Sequence, residues 1–338
     1  MVCFALTMAC TGSEGYTPQR LSGVIWGTAY NITYRTVPGI SPDEVSEAVT
    51  GALASVDSAA NMFSPASEVS RFNADGFLRS PSPRFSYLVR ESSGLSDASG
   101  GAFQPTIASL VELWGFGVKD IFSTPTQQQI DSAMTLVGMD KLIVSGDSVK
   151  ARIPGVRLDF GAIAKGYGVD CVADVLKTLG IKDYIIEIGG EVCMHGLSPR
   201  GDEWVVQIDA PVPDQSGSHT LLATLSLTDA AVATSGNYRN FRVDPNGRLT
   251  YHTISPITGQ PAQSDILSAT VVATNTTTAD ALATACMVLG LEASSSMITT
   301  LMAGNSDIFG AIFVTSDNSG SFRLHKVGLS QFTLHEPK

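Results

Sequence analysis

One segment near the C-terminus combines a carboxylate and a hydroxyl on an otherwise apolar background. In TTTADALATACMVLG, residues 276–290, Asp280 and Thr284 are four residues apart and would project from one face of a helix. An acid, a hydroxyl and a carbonyl form the hard-oxygen set that Mg²⁺ accepts, and phosphate oxygens would complete the octahedron. Alternatively, Thr277 as N-cap and Asp280 three residues later form a capping box, which needs no ligand. The spacing leaves both interpretations open.

A second segment places a lysine at the start of a predicted helix. The stretch LDFGAIAKGYGVD, residues 158–170, reads as a strand that turns at Gly161 and leads into a helix ending near Gly180. A helix N-terminus offers N–H groups and a positive dipole end to a phosphate, and Lys165 adds a full charge. The stretch is neither a Walker loop nor GxGxxG, since Cys171 stands where the third glycine belongs. A tight turn beside a solvated lysine would give the same pattern.

Two further segments place polar side chains next to predicted strands. In YHTISPITG, residues 251–259, His252 ends a strand just before a proline turn, where side chains are displayed and not buried. In VATSGNYRNF, residues 234–236 follow a strand and either bind a phosphate or turn the chain. A lone histidine is usually structural, so neither segment assigns a function by itself.

Short strands and a few helices would have to position these side chains. VIWGTAYNITY, residues 24–34, alternates apolar and polar residues as a half-buried strand does. SPDE, residues 41–44, supplies an N-cap, a proline and an acid, which predicts a helix to about Ala60. In the second half, many short strands accompany only two clear helices, at about 166–179 and 278–289. This succession of short strands with few helices predicts antiparallel sheet, and hence an α+β fold and not a doubly wound one.

Composition excludes several classes of protein. A chain of 338 residues that is 43% hydrophobic can bury the core of one large domain or of two packed subdomains. The net charge of -11 disfavours nucleic acid and anionic lipid, so an anionic ligand would need a local cation or metal. The five cysteines have no CxxC spacing, which supports neither a zinc ribbon nor a dense disulfide framework. No segment after the N-terminus reaches the roughly 18 to 20 apolar residues of a membrane-spanning helix.

The N-terminus resembles the end of a bacterial lipoprotein signal peptide. MVCFALTMAC is an apolar run that ends in small residues before Cys10, although it is short and has no basic residue. Lipidation of Cys10 and an apolar, frayed N-terminus are both open. The prediction is a leader and tether over residues 1–20 and a domain over residues 21–338, in a periplasmic protein anchored to the inner membrane through Cys10.

Taken together, eight segments resemble the ApbE family of FAD:protein FMN transferases, in the family's order and over nearly the whole chain from Trp26 to Gly290. The matching segments are WGTAYNITY, FSPASEVSRFN, GAFQPTIASLVELWGFG, LDFGAIAKGYGVD, IEIGGEV, VATSGNYRNF, HTISPITGQP and TADALATA. Eight ordered matches are more specific than any one motif. The resemblance implies a T-fold-like α+β architecture of largely antiparallel sheets with packed helices, built from two interleaved subdomains.

The resemblance also implies a Mg²⁺-dependent enzyme that cleaves FAD, esterifies the FMN phosphate to a threonine of an acceptor protein and releases AMP. By position, Mg²⁺ would be held by Asp280, Thr284 and the backbone carbonyl of Ala162, and His252 would be the base for the acceptor hydroxyl. The acceptor would be a flavin-accepting redox subunit that is membrane-bound or exported. Contacts to the flavin and the pyrophosphate are implied for Trp26, Phe63, Ala102, Phe103, Gln104, Lys165 and Ile254.

The chain departs from the family pattern at three of these places. Gln104 stands where the family usually has Asp, Ser255 replaces the common Asp of the HxIDP turn, and Phe63 replaces a frequent Tyr. The loss of two carboxylates near the ligand could alter the metal affinity or the balance between transfer and hydrolysis. Three alternatives therefore stand beside the transferase: an FAD pyrophosphatase that uses water as the acceptor, a non-catalytic FAD-binding lipoprotein, and an exported structural lipoprotein. The last would leave the acid, the lysine and the histidine unexplained.

Overall fold

The computed structural model of the chain describes residues 16–118, 124–212, 220–237, 241–243, 249–304, 307–317 and 319–336. Cys10, the predicted lipidation site, lies outside the described residues. Within these ranges, no helix combines the length and the apolar character needed to cross a membrane.

The described ranges contain eight α-helices and two short 3₁₀-helices, the latter at Pro105–Ile107 and Met139–Lys141. The α-helices are α1 (Pro42–Ala60), α2 (Glu68–Asp75), α3 (Pro83–Ala98), α4 (Ala108–Leu113), α5 (Gln127–Met134), α6 (Ala164–Thr178), α7 (Thr276–Leu289) and α8 (Leu291–Gly304). The predicted capping box of α1 is confirmed. The Ser41 hydroxyl accepts from the Glu44 N–H at 3.2 Å, and the Glu44 carboxylate accepts from the Ser41 N–H at 2.8 Å.

Sixteen strands fall within the same ranges. They are β1 (Pro18–Ile25), β2 (Thr28–Arg35), β3 (Phe77–Arg79), β4 (Leu142–Ser145), β5 (Ser148–Ala151), β6 (Tyr184–Ile188), β7 (Glu191–His195), β8 (Trp204–Asp209), β9 (Leu221–Leu227), β10 (Ala230–Gly236), β11 (Phe241–Val243), β12 (Leu249–Tyr251), β13 (Ser268–Ala273), β14 (Ile308–Ser316), β15 (Phe322–Gly328) and β16 (Thr333–His335).

The main sheet has eight strands in the order β1-β2-β6-β7-β10-β13-β14-β15. Two three-stranded sheets, β16-β9-β8 and β3-β5-β4, and the pair β11-β12 complete the sheet structure of the described residues. Each of these strand pairs is antiparallel. The predicted α+β fold with largely antiparallel sheets is therefore confirmed.

The main sheet is a central layer that is covered on both faces. In β13, Val271 and Ala273 face the helices, whereas Val272 between them packs with β8 and β9 of the second sheet. Helices α1 and α6 cover the part of the helical face formed by β6 and β7, and α7 covers the part formed by β10 and β13. Because α6 and α7 share one face, the start of α6 lies beside α7.

The prediction of a single strand over residues 24–34 is wrong, because the chain reverses within it. Ile25 pairs with Thr28, and the two residues between them form the turn of the β1–β2 hairpin. Trp26 and Gly27 have φ values of +51° and +74°. Positive φ at both central positions is what a type I′ turn requires. Trp26 therefore lies at the tip of the hairpin.

Residues 158–161, predicted as a strand, form none, because a side chain occupies the backbone groups of Leu158. The Asn73 amide donates to the Leu158 carbonyl at 2.8 Å and accepts from the Leu158 N–H at 2.6 Å. The next N–H, of Asp159, donates to the Pro105 carbonyl at 2.7 Å. The segment thus enters α6 as an extended stretch held by single residues of neighbouring loops and helices.

The first strand begins within the stretch assigned to the leader and tether. Pro18 pairs with Arg35 in the β1–β2 hairpin, and the Tyr16 N–H donates to the Pro199 carbonyl at 3.2 Å. Among the described residues, contacts with the domain thus already include Tyr16 and Pro18, which lie within the stretch predicted as leader and tether.

Candidate functional site

Three parts of the fold meet around Lys165, the second residue of α6. The Lys165 ammonium forms an ion pair with the carboxylate of Glu191 at the start of β7 and lies 3.8 Å from Oδ1 of Asp280 on α7. Each carboxylate side chain is only 4% exposed, whereas the lysine side chain is 33% exposed. The cluster therefore lies where the core meets solvent, beside the positive end of a helix.

The interpretation of Thr277 and Asp280 as a capping box is wrong. The N-cap of α7 is Asn275, whose side chain accepts from the Thr278 N–H at 2.8 Å. Asp280 consequently lies in the second turn of α7, and its Oδ2 accepts from the Gly166 N–H at 3.0 Å. Because Gly166 is in the first turn of α6, the Asp280 carboxylate joins the two helices at the predicted phosphate-binding end of α6.

Gly166 and Asp170 explain why the two helices approach so closely. A Cβ at Gly166 would lie 2.4 Å from the Thr276 carbonyl oxygen and 2.8 Å from the Cβ of Asp280. Further along α6, the Asp170 carboxylate accepts from the N–H groups of Thr276 and Thr277, both at 2.8 Å, and from the Thr277 hydroxyl at 2.5 Å. Asp170 thus caps α7 from a neighbouring helix. Sequence reasoning missed this role, although Asp170 ends the same motif as Lys165.

The oxygen atoms predicted to hold Mg²⁺ have the right chemistry for it. Thr284 lies one turn after Asp280, and its hydroxyl oxygen is 3.2 Å from that of Ser235 near the end of β10. No backbone N–H of the described residues donates to the Ala162 carbonyl, just before α6. The same residues contain no group of three or more His, Cys, Asp and Glu arranged for a metal. The predicted set has only one such side chain and relies on hydroxyl and carbonyl oxygens, which Mg²⁺ accepts.

The charges of the cluster also fit an additional cation. Burial alone would lower the pKa of Lys165, but the Asp280 and Glu191 carboxylates outweigh it and hold the pKa above its usual value, so the ammonium stays charged. Burial raises the pKa of Glu191, and Lys165 opposes that rise. Glu191 Oε2 has no hydrogen-bond partner among the described residues. One ammonium thus faces two buried carboxyl groups, and a bound cation would favour the ionised form of Glu191.

Trp26 and Phe63, the predicted flavin contacts, are linked through Asp57. The Trp26 indole N–H donates to Asp57 at 3.0 Å, and the indole ring lies so close to α6 that a Cβ at Gly168 would be 2.4 Å from it. The Asn61 amide donates to the same Asp57 oxygen at 2.9 Å and accepts from the Phe63 N–H at 2.9 Å. The Phe63 side chain is 66% exposed. The indole is therefore held by packing, and the phenyl ring is available to a ligand.

Three other predicted contacts have side chains that belong to the core. Ala102 and Phe103 are each 2% exposed and Ile254 is 4% exposed. The Phe103 N–H donates to the Ser99 hydroxyl at 3.0 Å, and Ile254 forms a bridge with Pro261. Any contact of these residues with a ligand would therefore come from backbone groups.

Gln104 and Ser255, the two predicted departures from family carboxylates, have local backbone roles. Oε1 of Gln104 accepts from the Thr106 hydroxyl at 2.9 Å and from the Thr106 N–H at 3.4 Å, at the start of a 3₁₀-helix. The Ser255 hydroxyl accepts from the N–H groups of Ile257 and Thr258, both at 3.3 Å. A side-chain oxygen in a turn needs no negative charge for this purpose. The two side chains thus stabilise two turns that carry predicted ligand contacts.

His252, the predicted base, lies on the turn after β12, and contacts with neighbouring residues fix this turn. Its half-buried ring meets the Phe116 ring edge-on, with centroids 6.5 Å apart and planes at 67°. The next residue, Thr253, donates its hydroxyl to the Asn237 side-chain oxygen at 2.8 Å. The turn that carries the imidazole is therefore anchored by a buried hydrogen bond on one side and an aromatic contact on the other.

The fold and this site define an α+β protein in which a lysine, a helix N-terminus and two buried carboxyl groups lie together. The ApbE family model matches residues 26–308, so the chain belongs to the ApbE family. Sequence resemblance in the same order of segments had implied this family, and the match confirms it.

Relatives with assigned functions cover nearly the whole chain. The FAD:protein FMN transferase of Vibrio cholerae is 34% identical over 319 residues, which are 91% of this chain and 94% of the relative. The Haemophilus influenzae protein of the same name is 33% identical over 86% of this chain and 85% of its own length. The apo form of the Pseudomonas stutzeri flavinyl transferase ApbE superposes with a TM-score of 0.81 at 32% identity, covering 93% of this chain and 95% of that structure.

Proposed function

We propose that the protein is an FAD:protein FMN transferase, which moves FMN from FAD to a threonine of an acceptor protein and releases AMP. The observation that carries the proposal is that Lys165, at the start of α6, lies 3.8 Å from Asp280 of α7, and Thr284 follows Asp280 by one turn of the same helix. This arrangement offers a cation, a helix N-terminus and hard-oxygen ligands in one place, as a pyrophosphate substrate requires. Relatives named FAD:protein FMN transferase support the same activity.

In the proposed reaction, the acceptor hydroxyl oxygen attacks the phosphorus of the FMN half of FAD. The new ester bond forms as the bond from that phosphorus to the bridging oxygen breaks, and AMP leaves with the bridging oxygen. His252 accepts the hydroxyl proton. Lys165 and the positive end of the α6 dipole attract the pyrophosphate and offset its charge. When bound at Asp280 and Thr284, Mg²⁺ would neutralise further charge on the phosphate oxygens.

The experiment that tests this function follows AMP and FMN by chromatography after the protein is mixed with FAD and Mg²⁺. A transferase releases AMP only when a flavin-accepting redox protein is present, and the flavin then elutes with that acceptor. Release of both free FMN and AMP without an acceptor would instead identify a pyrophosphatase. An unchanged FAD pool under both conditions would indicate a protein that only binds FAD.

Phe63 should contribute to FAD affinity through stacking on the flavin ring. Its exposed aromatic face would be covered by the isoalloxazine, and burying a phenylalanine is worth about 1.5 to 3 kcal/mol. We therefore expect Phe63→Ala to raise the Kd for FAD roughly tenfold in a flavin-fluorescence titration.

Phe77→Ala is the matched control, because Phe77 is also exposed, at 39%, but lies outside the segments of the site. It should leave the Kd unchanged. Trp26→Ala should mainly reduce thermal stability, since the indole is held by Asp57 and α6. If FAD affinity were unaffected in both Phe63→Ala and Trp26→Ala, neither aromatic ring would stack on the flavin.

We also propose that Cys10 is lipidated and that the mature protein is tethered to the outer face of the inner membrane. An apolar run before a cysteine and a membrane-bound or exported acceptor support this location. Wild-type protein should fractionate with membranes and Cys10→Ala with the soluble fraction. Equal recovery of both proteins in the soluble fraction would exclude the anchor.

A further inference from the structure

We propose that Glu191 is a positioning residue that holds the Lys165 ammonium away from Asp280 and so keeps one Asp280 oxygen open to a divalent cation. The inference rests on the proposed function, since it assigns a role within the same site to a residue that need not touch flavin, acceptor or metal. The matched segment IEIGGEV contains Glu191, but its sequence gives no reason for a carboxylate at that position.

The two oxygens of Asp280 are in different situations. Oδ2 accepts from the Gly166 N–H at 3.0 Å and is thereby fixed to the start of α6. Oδ1 lies 3.8 Å from the Lys165 ammonium, too far for a hydrogen bond. Oδ1 is therefore the oxygen that is best placed to accept a cation, and Lys165 is the group that would compete with that cation for it.

Glu191 can prevent this competition because it already binds the ammonium. A lysine side chain is flexible, and its ammonium turns toward whichever acceptor is nearest. Glu191 Oε1 holds Lys165 in a shorter contact than Asp280 Oδ1 does. Without the Glu191 charge, attraction between opposite charges would move the ammonium onto Asp280 Oδ1. The metal would then have to displace a salt bridge before it could bind.

Glu191 is itself held by a rigid part of the fold. It is the first residue of β7, directly after a two-residue turn of Gly189 and Gly190 with φ values of +63° and +107°. Glu187 accepts from the Gly190 N–H at 2.9 Å and fixes that turn. Glu191 is 3% exposed, and its Oε2 has no hydrogen-bond partner among the described residues. Burial of a carboxylate disfavours folding unless the carboxylate is paired with an opposite charge, and Lys165 is that partner.

A double-mutant cycle in metal-free protein tests whether the two residues act as a pair. Lys165→Met leaves two buried carboxylates without their cation and should lower the midpoint of thermal unfolding. Glu191→Gln removes one of these carboxylates, so the double variant should unfold at a higher temperature than Lys165→Met alone. Additive losses in the double variant would mean that Glu191 stabilises the fold independently of Lys165, and would overturn the proposal.

Calorimetric titration of Mg²⁺ into the same four metal-stripped proteins tests the effect on the metal. Glu191→Gln should weaken Mg²⁺ binding by roughly tenfold or more, as is typical when a residue that orients a metal site is lost. In the Lys165→Met background the same change should have little further effect, because no ammonium is left to occupy Asp280. An equal loss in both backgrounds would show that Glu191 acts on the metal through its own charge, which contradicts the proposal.

Glu187→Gln is the matched control, since Glu187 is a fully buried carboxylate of the same hairpin. It lies on the opposite face of the sheet, where it accepts from the Asn31 amide at 2.9 Å. The glutamine oxygen can still accept from the Gly190 N–H, so the turn before Glu191 is kept and the Mg²⁺ affinity of Glu187→Gln should equal that of wild type. A wild-type protein that binds Mg²⁺ with the expected coupling but transfers no FMN would refute the proposed function and leave this inference standing. Normal transfer together with wild-type Mg²⁺ affinity in Glu191→Gln would refute the inference alone.

Discussion

Replacing Asp280 by asparagine should nearly abolish FMN transfer at low Mg²⁺ while the protein stays folded. The change removes a full negative charge from a site whose other predicted ligands, the Thr284 hydroxyl and the Ala162 carbonyl, are neutral. Charge stabilisation by a metal is worth several kcal/mol, so we expect the rate to fall roughly 10³-fold, with partial recovery at high Mg²⁺. An asparagine oxygen can still accept from the Gly166 N–H, and the free energy of unfolding should fall by only about 1 kcal/mol.

The measurement is the initial rate of transfer as a function of Mg²⁺ concentration, beside a thermal unfolding curve. Thr284→Val should show a milder form of the same Mg²⁺ requirement. Ser235→Ala is the control, because it removes the hydrogen-bond partner of Thr284 and leaves the hydroxyl in place. Its Mg²⁺ dependence should be that of wild type. Normal transfer by Asp280→Asn at low Mg²⁺ would mean that Asp280 does not bind the metal and only joins α6 and α7 through its hydrogen bond.

His252→Ala should slow the transfer roughly 10²-fold or more while the Kd for FAD changes only a few-fold. A general base acts on the acceptor hydroxyl during the attack on phosphorus, so its loss affects the rate and not the binding of FAD. Single-turnover rates and flavin-fluorescence titrations on the same preparations separate the two effects.

His195→Ala provides a histidine control for this experiment. The His195 ring lies in β7, 5.7 Å from the Tyr184 ring, and its Nδ1 is 2.6 Å from the Lys182 carbonyl oxygen. It belongs to none of the site segments, so the transfer rate should be unchanged. Should His252→Ala instead lose FAD affinity as strongly as it loses rate, His252 would be a binding residue and another group would have to take the proton.

Local signals in the sequence predicted those parts of the fold that are determined locally. The Ser41 capping box set the start of α1, since both of its hydrogen bonds are made within four residues. The α+β class was also predictable, because short strands joined by glycine turns favour antiparallel pairing. The spacing of Asp280 and Thr284 correctly placed both on one helix.

Other features depend on residues far apart in the sequence and could not be predicted from it. The capping interpretation of Thr277 failed because Asn275 caps α7, while Asp170, more than a hundred positions earlier, binds the Thr276 and Thr277 N–H groups. Residues 158–161 have the composition of a strand, but the Asn73 side chain occupies the backbone groups of Leu158. Such partners become visible only once the chain is folded.

The site residues also divide into those that local sequence signals predicted and those that depend on distant contacts. Lys165 was recognisable because it stands beside the glycines of a helix start, whereas Glu191 was not assigned a role. Its partner is on another element, and nothing in its own segment indicates an ion pair. Trp26 was predicted as a flavin contact by resemblance, yet its ring packs on α6 because a tight turn placed it there. Long-range packing decides which of the predicted contacts remain available to a ligand.

Flavin transfer to a protein is tested most directly by the intact mass of an acceptor. A flavin-accepting redox domain would be incubated with this protein, FAD and Mg²⁺. A parallel reaction would use a variant of that domain in which valine replaces the target threonine. We predict that the acceptor gains the mass of one FMN less one water, that fragmentation places the gain on the threonine, and that the valine variant gains nothing. An acceptor of unchanged mass, in a reaction where FAD is nevertheless cleaved to free FMN and AMP, would contradict the assignment as a transferase.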